Sequence, residues 1–172
     1  MMQRLIQTIV SLMVIWTLGS VIRDSLSGPP ANAEPVQPAS SYVTASGRPT
    51  SLSDFRGDFL WVDHAAAWCS YCAPQTRTIK ALEQRYGDRV VFVTVVTGTD
   101  VVMQPPGADT ALAWARRFGL DPERVLAHFS TDTLPYHVLY SPRGEVLFRD
   151  SGLYSQDRII GVLRAKTSVL DH

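Results

Sequence analysis

Cysteine is scarce in this sequence: two of 172 residues, both within the tetrad Cys69-Ser70-Tyr71-Cys72. That supply excludes a disulfide-stapled scaffold. A bridge closing so short a loop removes little unfolded-state entropy, roughly 2 kcal/mol against about 3 for a fifteen-residue loop. Reversible redox chemistry therefore explains the pair better than stapling does. Neither sign of charge predominates, with 16 basic residues against 16 acidic ones. Without a broad field to collect nucleic acid or anionic lipid, recognition must rest on a local site, and a nucleic-acid role is excluded. Histidine is limited to His64, His128, His137 and His172. None stands in a second paired spacing that would complete a zinc site with the cysteines. The chain also lacks internal repeats. Its length and 45% apolar content fit one globular domain plus a tail, able to bury a core unaided.

What the amino terminus does have is a long apolar run. Leu5 to Ile22 holds eighteen residues without a charge, preceded by Arg4 and followed by Arg23 and Asp24. As a helix it would span about 27 Å, close to the ~30 Å hydrocarbon core. Arg4 and the free amine would hold its start in the cytoplasm, so the rest would be exported. The same residues fit a cleaved signal peptide, since Ala31-Asn32-Ala33 before Glu34 is a small-residue cleavage pattern. Residues 1–24 are thus a membrane anchor or a signal peptide, placing the protein at the inner membrane facing the periplasm or free in the periplasm. A buried core helix is the third reading, disfavoured because 25–41, with Gly28, Pro29, Pro30, Pro35 and Pro38, offers little to pack and is expected to be a flexible linker.

From Tyr42 onward the pattern is that of an α/β domain, 42–172. Tyr42 to Thr50 reads as a hairpin, Leu52 to Phe55 as one helical turn ending at Gly57, and Phe59 to Ala65 as a buried strand. Ile79, Leu82 and Tyr86 share one side of a helix over Thr76 to Tyr86. Val90 to Val96 is a β-branched and aromatic run suited to a central strand covered on both faces. A polar, proline-containing surface loop, Thr97 to Gly107, leads to a helix over Ala108 to Phe118. Asp121-Pro122-Glu123 reads as a cap opening a short helical piece toward Phe129. Tyr136 to Tyr140 and Glu145 to Arg149 flank a turn at Ser141-Pro142-Arg143-Gly144, and Ser155 to Leu170 closes the chain as an amphipathic helix.

A strand running straight into Trp68-Cys69-Ser70-Tyr71-Cys72 puts the first cysteine at the start of a helix, where unpaired N–H groups and the positive dipole end favour a thiolate. Cys69 is the expected attacking sulfur. Cys72, on the same face three residues on, can then resolve a mixed disulfide by expelling the partner's thiol.

With these motifs in place the chain resembles the thioredoxin superfamily, and within it the exported thiol-disulfide oxidoreductases of the TlpA and ResA group. The resemblance runs from Tyr42 to about Leu163. It is carried by Ser51-Leu52-Ser53-Asp54-Phe55-Arg56-Gly57, the Trp68-Cys69-X-X-Cys72 centre, Arg85-Tyr86-Gly87-Asp88, and Leu134-Pro135 ahead of a Pro-Arg-Gly hairpin. It implies a thioredoxin fold with a central mixed four- or five-stranded sheet flanked by helices. It also implies dithiol exchange with exported protein thiols and disulfides, no cofactor beyond the redox-active Cys69–Cys72 pair, and an upstream donor such as a membrane thiol reductant. A reductant role, in maturing a cytochrome c or a copper protein, fits it better than an oxidant role.

The resemblance assigns further residues. Asp63, six positions before Cys69, matches the buried acid of thioredoxins. In an apolar strand its pKa would be raised by desolvation, letting it accept the Cys72 proton. Pro135 matches the cis-proline that faces the cysteines, leaving the Leu134 backbone free to pair with an extended substrate. Trp68 is expected to pack over Cys69 at the substrate side. The departures are Arg77 where a proline is usual, with Pro74 earlier instead, and Gln75 where the TlpA and ResA group commonly has glutamate. His64 reads as a core histidine rather than a second proton carrier.

Two rivals remain. A copper chaperone would use Cys69, Cys72 and His137 as soft ligands, although the related copper-assembly proteins separate their cysteines by three residues. Peroxide reduction on the peroxiredoxin scaffold would want a threonine where Ala66 stands.

Overall fold

The continuous apolar run Phe59–Val62, carried on to Ala65 and Ala66, and the β-branched and aromatic run Val90–Val96 dictate two central strands that neighbours cover on both faces. The computed structural model describes residues 42–130 and 132–170. The anchor or signal segment and the linker expected over 1–41 lie outside the described residues. In chain order the elements are β1 (Tyr42–Thr44), β2 (Pro49–Thr50), a 3-10 turn (Leu52–Phe55), β3 (Phe59–Ala66), α1 (Cys72–Tyr86), β4 (Val90–Gly98), α2 (Ala108–Phe118), β5 (Val125–Ala127), β6 (Tyr136–Tyr140), β7 (Val146–Ser151) and α3 (Gln156–Lys166).

They form one mixed sheet of seven strands in the order β2-β1-β5-β4-β3-β6-β7. The expected thioredoxin-like core is the five-strand set β5 to β7, and the β1–β2 hairpin extends it at one edge. The pairs β3–β4 and β4–β5 are parallel, and β6 runs antiparallel to β3 and to β7. Trp61 on one face of β3 packs with Ile79 and Leu82 of α1 and with Ile159 and Leu163 of α3. Leu60 and Val62, on the opposite face, pack with Val93, Val95 and Leu126 and against the 3-10 turn. Each such side chain contributes roughly 1.5–3 kcal/mol of burial.

The local signals are satisfied in detail. Ser51 caps the 3-10 turn by accepting from the Ser53 N–H, while the Asp54 carboxylate accepts from the Ser51 N–H at 3.1 Å. Helix α2 ends on Gly119, whose φ of 64° is the left-handed cap that glycine adopts without a Cβ penalty. Helix α1 starts four residues earlier than the Thr76 expected from periodicity. Pro74 falls in its first turn, where the missing N–H would have had no intrahelical partner, so the proline neither delays nor breaks the helix.

One element differs in kind. The segment from Asp121 toward Phe129 was expected to be helical, but it holds a turn followed by the strand β5. The Asp121 carboxylate accepts from the Glu123 N–H at 2.9 Å, closing the turn locally. Val125, Leu126 and Ala127 then pair with β4 on one side, and Leu126 and Ala127 with β1 on the other. Pairing on both sides outweighs the helix-start signal of Asp-Pro-Glu.

Candidate redox site

The site grows from the carboxyl end of β3. The strand is continuous through Ala66 and the chain then turns, with the Cys69 N–H donating to the Ala66 carbonyl and the Cys72 N–H to the Cys69 carbonyl. Cys72 is the first residue of α1, so Cys69 stands in the turn just ahead of the helix. The two sulfurs are joined as a disulfide, with the Cα atoms 5.4 Å apart. The bond is asymmetric in access: Cys69 is 7% exposed and Cys72 fully buried. The first turn of α1 carries no acidic residue, so no carboxylate offsets the positive end of the helix beside the sulfurs.

Around the disulfide lie small and apolar groups. Ala65, Ala66, Val96, Ala111 and Trp114 form the buried cluster with the two cysteines, and Leu134 packs against it. Pro135 is buried and its peptide bond with Leu134 is cis. Trp68 is 45% exposed and rests against the end of β4, where a Cβ on Gly98 would come within 2.9 Å of the indole nitrogen. Tyr71, on the other side of Cys69, is 64% exposed. The loop after β4 presents Val101, Val102 and Met103 to solvent. A cavity of about 460 Å³ lies between this loop and α2, reaching Ala67, two residues before Cys69.

Asp63 lies beneath α1 in the middle of β3, fully buried. Its register partner in the antiparallel strand is His137. His137 Nδ1 is 3.1 Å from Asp63 Oδ1, both side chains being wholly inaccessible. The contact lies off the axis of a ring N–H donor, and both atoms otherwise lack a hydrogen-bond partner. It is therefore an electrostatic contact rather than a hydrogen bond, a charge pair only when the ring is protonated and the carboxyl ionised. Burial pushes the Asp63 carboxyl above its usual range, and the adjacent His137 pulls against that shift. The other ring nitrogen of His137 lies 2.9 Å from the Gly152 carbonyl.

Each sequence-derived candidate can now be located. Cys69, Cys72 and Leu134 meet in one buried cluster, Pro135 follows Leu134 across the cis bond, and Asp63 lies within β3, three residues before its end. Gln75, one turn along α1 from Cys72, is buried, and its Oε1 accepts from the Tyr154 N–H at 2.7 Å. It therefore ties α1 to the segment before α3. Arg77 is exposed, its guanidinium 5.8 Å from the Phe118 ring centroid.

His64 points to the opposite face of the sheet, edge-on to Tyr136 with ring centroids 5.4 Å apart. Burial lowers its pKa to about 4, so it is a neutral core histidine near pH 7. His137, considered from sequence only as a copper ligand, has one nitrogen on Gly152 and the other on Asp63. Neither is turned toward the cysteines, and among the described residues no group of three or more His, Cys, Asp or Glu side chains is placed to hold a metal. Its pairing with Asp63 was missed because it depends on the β3–β6 register, which no local motif announces.

Comparison with known proteins agrees with this geometry. The profile of the Redoxin family matches residues 31–171. Among curated protein sequences none matches. Solved structures of similar fold include the pneumococcal exposed lipoprotein thioredoxin Etrx1 from Streptococcus pneumoniae strain TIGR4, at 22% identity, covering 72% of this chain and 96% of that one with a TM-score of 0.56. MTB dsbF, in mixed oxidized and reduced forms, shares 17% identity over 73% of this chain and 92% of its own, with a TM-score of 0.59. A secreted Mycobacterium tuberculosis disulfide oxidoreductase homologous to E. coli DsbE shares 16% identity over 72% and 92%, with a TM-score of 0.55. At these identities the likeness is one of fold.

Proposed function

This chain belongs to the Redoxin family and carries a thiol-disulfide oxidoreductase fold with Cys69 and Cys72 at bonding distance, and we propose that it reduces disulfides in exported proteins. The observation that carries this reading is the unequal access of two bonded sulfurs at the amino end of a helix. In the reduced enzyme the Cys69 thiolate attacks a substrate disulfide, forming a Cys69–substrate bond while one substrate sulfur leaves with the electron pair. Cys72 then gives up its proton and attacks Cys69, expelling the second substrate thiol and closing the Cys69–Cys72 disulfide. The substrate gains two electrons and the enzyme loses two. No cofactor enters this cycle, but each turnover requires an upstream thiol reductant to reopen the disulfide.

Asp63 is the proton acceptor for Cys72 in this reading. Its fully buried side chain and upward-shifted pKa support that role, because a carboxyl raised above its usual range by burial accepts a proton more readily than an exposed one. Leu134, Pro135 and Trp68 form the substrate side: an extended chain would pair with the Leu134 backbone and lie over the exposed Trp68. The exposed Tyr71, Val101, Val102 and Met103 supply further apolar surface for a protein partner. Export rests on the apolar run at 5–22, which would deliver the domain to the periplasmic side as an anchored or released protein. Cytochrome c and copper-protein maturation are the substrate classes in view.

The test is a Cys72→Ser substitution in the full-length chain, expressed in a cell that exports it. A Cys69 that attacks genuine partners should accumulate covalent adducts, reversible by added thiol and missing from the Cys69→Ser/Cys72→Ser double variant. Equal adduct levels in the single and double variants would overturn the assignment.

A further inference from the structure

The cavity between the loop after β4 and α2 is built from groups that the exchange cycle leaves unused. Its volume of about 460 Å³ falls within the ~300–1,000 Å³ range of ligand pockets. One wall is apolar and consists of Ala67, Ala113 and Trp114. Trp114 is only 3% exposed, it belongs to the buried cluster around Cys69 and Cys72, and its indole N–H has no hydrogen-bond partner. A buried donor without an acceptor is costly, and an occupant that brings one relieves that cost.

The charges of the cavity are divided between its ends. Asp100 on the loop and Asp109 in the first turn of α2 supply two carboxylates, and Arg117 supplies one guanidinium. Asp109 and Arg117 stand eight residues apart on the helix, or about 12 Å along its axis, too far to pair. Arg117 lies instead over the rings of Trp114 and Phe118, at 5.9 and 5.2 Å from their centroids. Asp109 Oδ1 accepts from the Thr110 N–H at 2.8 Å. Its Oδ2 and both oxygens of Asp100 have no hydrogen bond or ion pair among the described residues. The loop wall is held in place by its own bonds: the Thr99 hydroxyl lies 3.0 Å from Gln104 Oε1, and the Gln104 N–H donates to the Val101 carbonyl at 3.2 Å.

We propose that this cavity is a subsite for a lysine or arginine side chain of the substrate polypeptide, close in sequence to the half-cystine that Cys69 attacks. The subsite names a substrate class for the reduction proposed above and rests on that reading. Ala67 precedes Cys69 by two residues, so their Cα atoms are at most about 7.6 Å apart, a distance that two or three residues of extended substrate cover. The apolar stem of a basic side chain suits Ala67, Ala113 and the Trp114 ring, while its cationic head meets Asp100 and Asp109. A polypeptide also carries backbone carbonyls that can accept from the Trp114 indole, which a bare metal cation lacks. The rival occupant is an acidic side chain drawn to Arg117, and the two differ in the sign of every charge effect.

The test uses the full-length chain and disulfide-bridged peptides that differ in one residue, lysine, glutamine or glutamate, placed in turn at each position within about three residues of the half-cystine. At the best position kcat/KM for lysine should exceed that for glutamine by roughly fivefold or more, through KM, and the advantage should shrink in about 0.5 M salt. In Asp100→Asn/Asp109→Asn the lysine-to-glutamine ratio should fall to within about twofold, and in Arg117→Gln it should rise. Each ratio compares two substrates on one protein, so a smaller folded fraction cancels. Turnover without a lysine preference at any position, a glutamate preference abolished by Arg117→Gln, or a lysine preference that survives the loss of both carboxylates would overturn the subsite and leave the oxidoreductase reading intact. A wild type that reduces none of the peptides would defeat that reading instead. The subsite then rests on NMR of the Trp114 indole N–H, which should shift with a lysine peptide carrying serine for cysteine and not with its glutamate counterpart; an unmoved signal would overturn it.

Discussion

Replacing Cys69 with serine is expected to lower the rate of disulfide reduction by on the order of a thousandfold or more, the scale seen when a covalent nucleophile is removed. A hydroxyl at this position is a poor nucleophile at neutral pH and cannot form the sulfur–sulfur bond on which the cycle depends. Cys69, rather than Cys72, is the cysteine with any exposure, so no second thiol can take over the attack. Folding should be little affected, since the lost bridge closes a loop of the shortest kind and stabilises by roughly 2 kcal/mol at most. Turnover of a small disulfide-bonded protein, with the folded fraction followed in parallel by circular dichroism, separates the two effects. Activity within tenfold of wild type in the Cys69→Ser chain would contradict the proposed mechanism.

The second large effect concerns stability. Asp63 is fully buried with its pKa raised by desolvation. A group whose folded pKa exceeds its unfolded one contributes stability that is fully present below the unfolded value, near 3.9, and is lost as pH rises through the folded value. Asparagine has nearly the same shape and does not titrate. Asp63→Asn should therefore leave stability similar near pH 4 and make the protein increasingly more stable than wild type as pH rises. The gain has a limiting slope of about 1.4 kcal/mol per pH unit until the folded pKa is passed. Urea unfolding of both proteins across pH 4 to 9 reads this difference directly. A variant less stable than wild type at pH 8 would mean that the carboxylate is held ionised and structural, against its assignment as proton acceptor. A stabilised protein that exchanges disulfides more slowly is the expected outcome for an acid kept for chemistry rather than for folding.

Much of this was legible in the sequence because the strongest signals are local. Phe59 to Ala65 declares itself as a buried strand and Val90 to Val96 as a central one by composition alone, each falling short of the observed end by one or two residues. Leu52 to Phe55, closed by Gly57, declares the helical turn, and the cysteine tetrad between strand and helix declares the site. What stayed hidden depends on pairing at long range. Val125-Leu126-Ala127 is too short to outweigh its Asp-Pro-Glu preface until β1 and β4 close on either side of it. The Asp63–His137 contact is set by the β3–β6 register. His137 thus read as a free soft ligand, whereas the fold engages both of its nitrogens. Gln75 looked like a lost acid, and in place it is a buried clamp between α1 and the Tyr154 backbone.

The central claim is that one sulfur of the pair attacks and the other, sealed beneath it, resolves. The most direct measurement reduces the full-length chain, exposes it briefly to iodoacetamide at neutral pH, and locates the modified sulfur by mass spectrometry while following reclosure of the bond in the unmodified fraction. Cys69 should be alkylated at least tenfold faster than Cys72, and the unmodified chain should return to the Cys69–Cys72 disulfide when offered an oxidised partner. Equal rates at both sulfurs, or a pair that stays reduced before such a partner, would contradict the account.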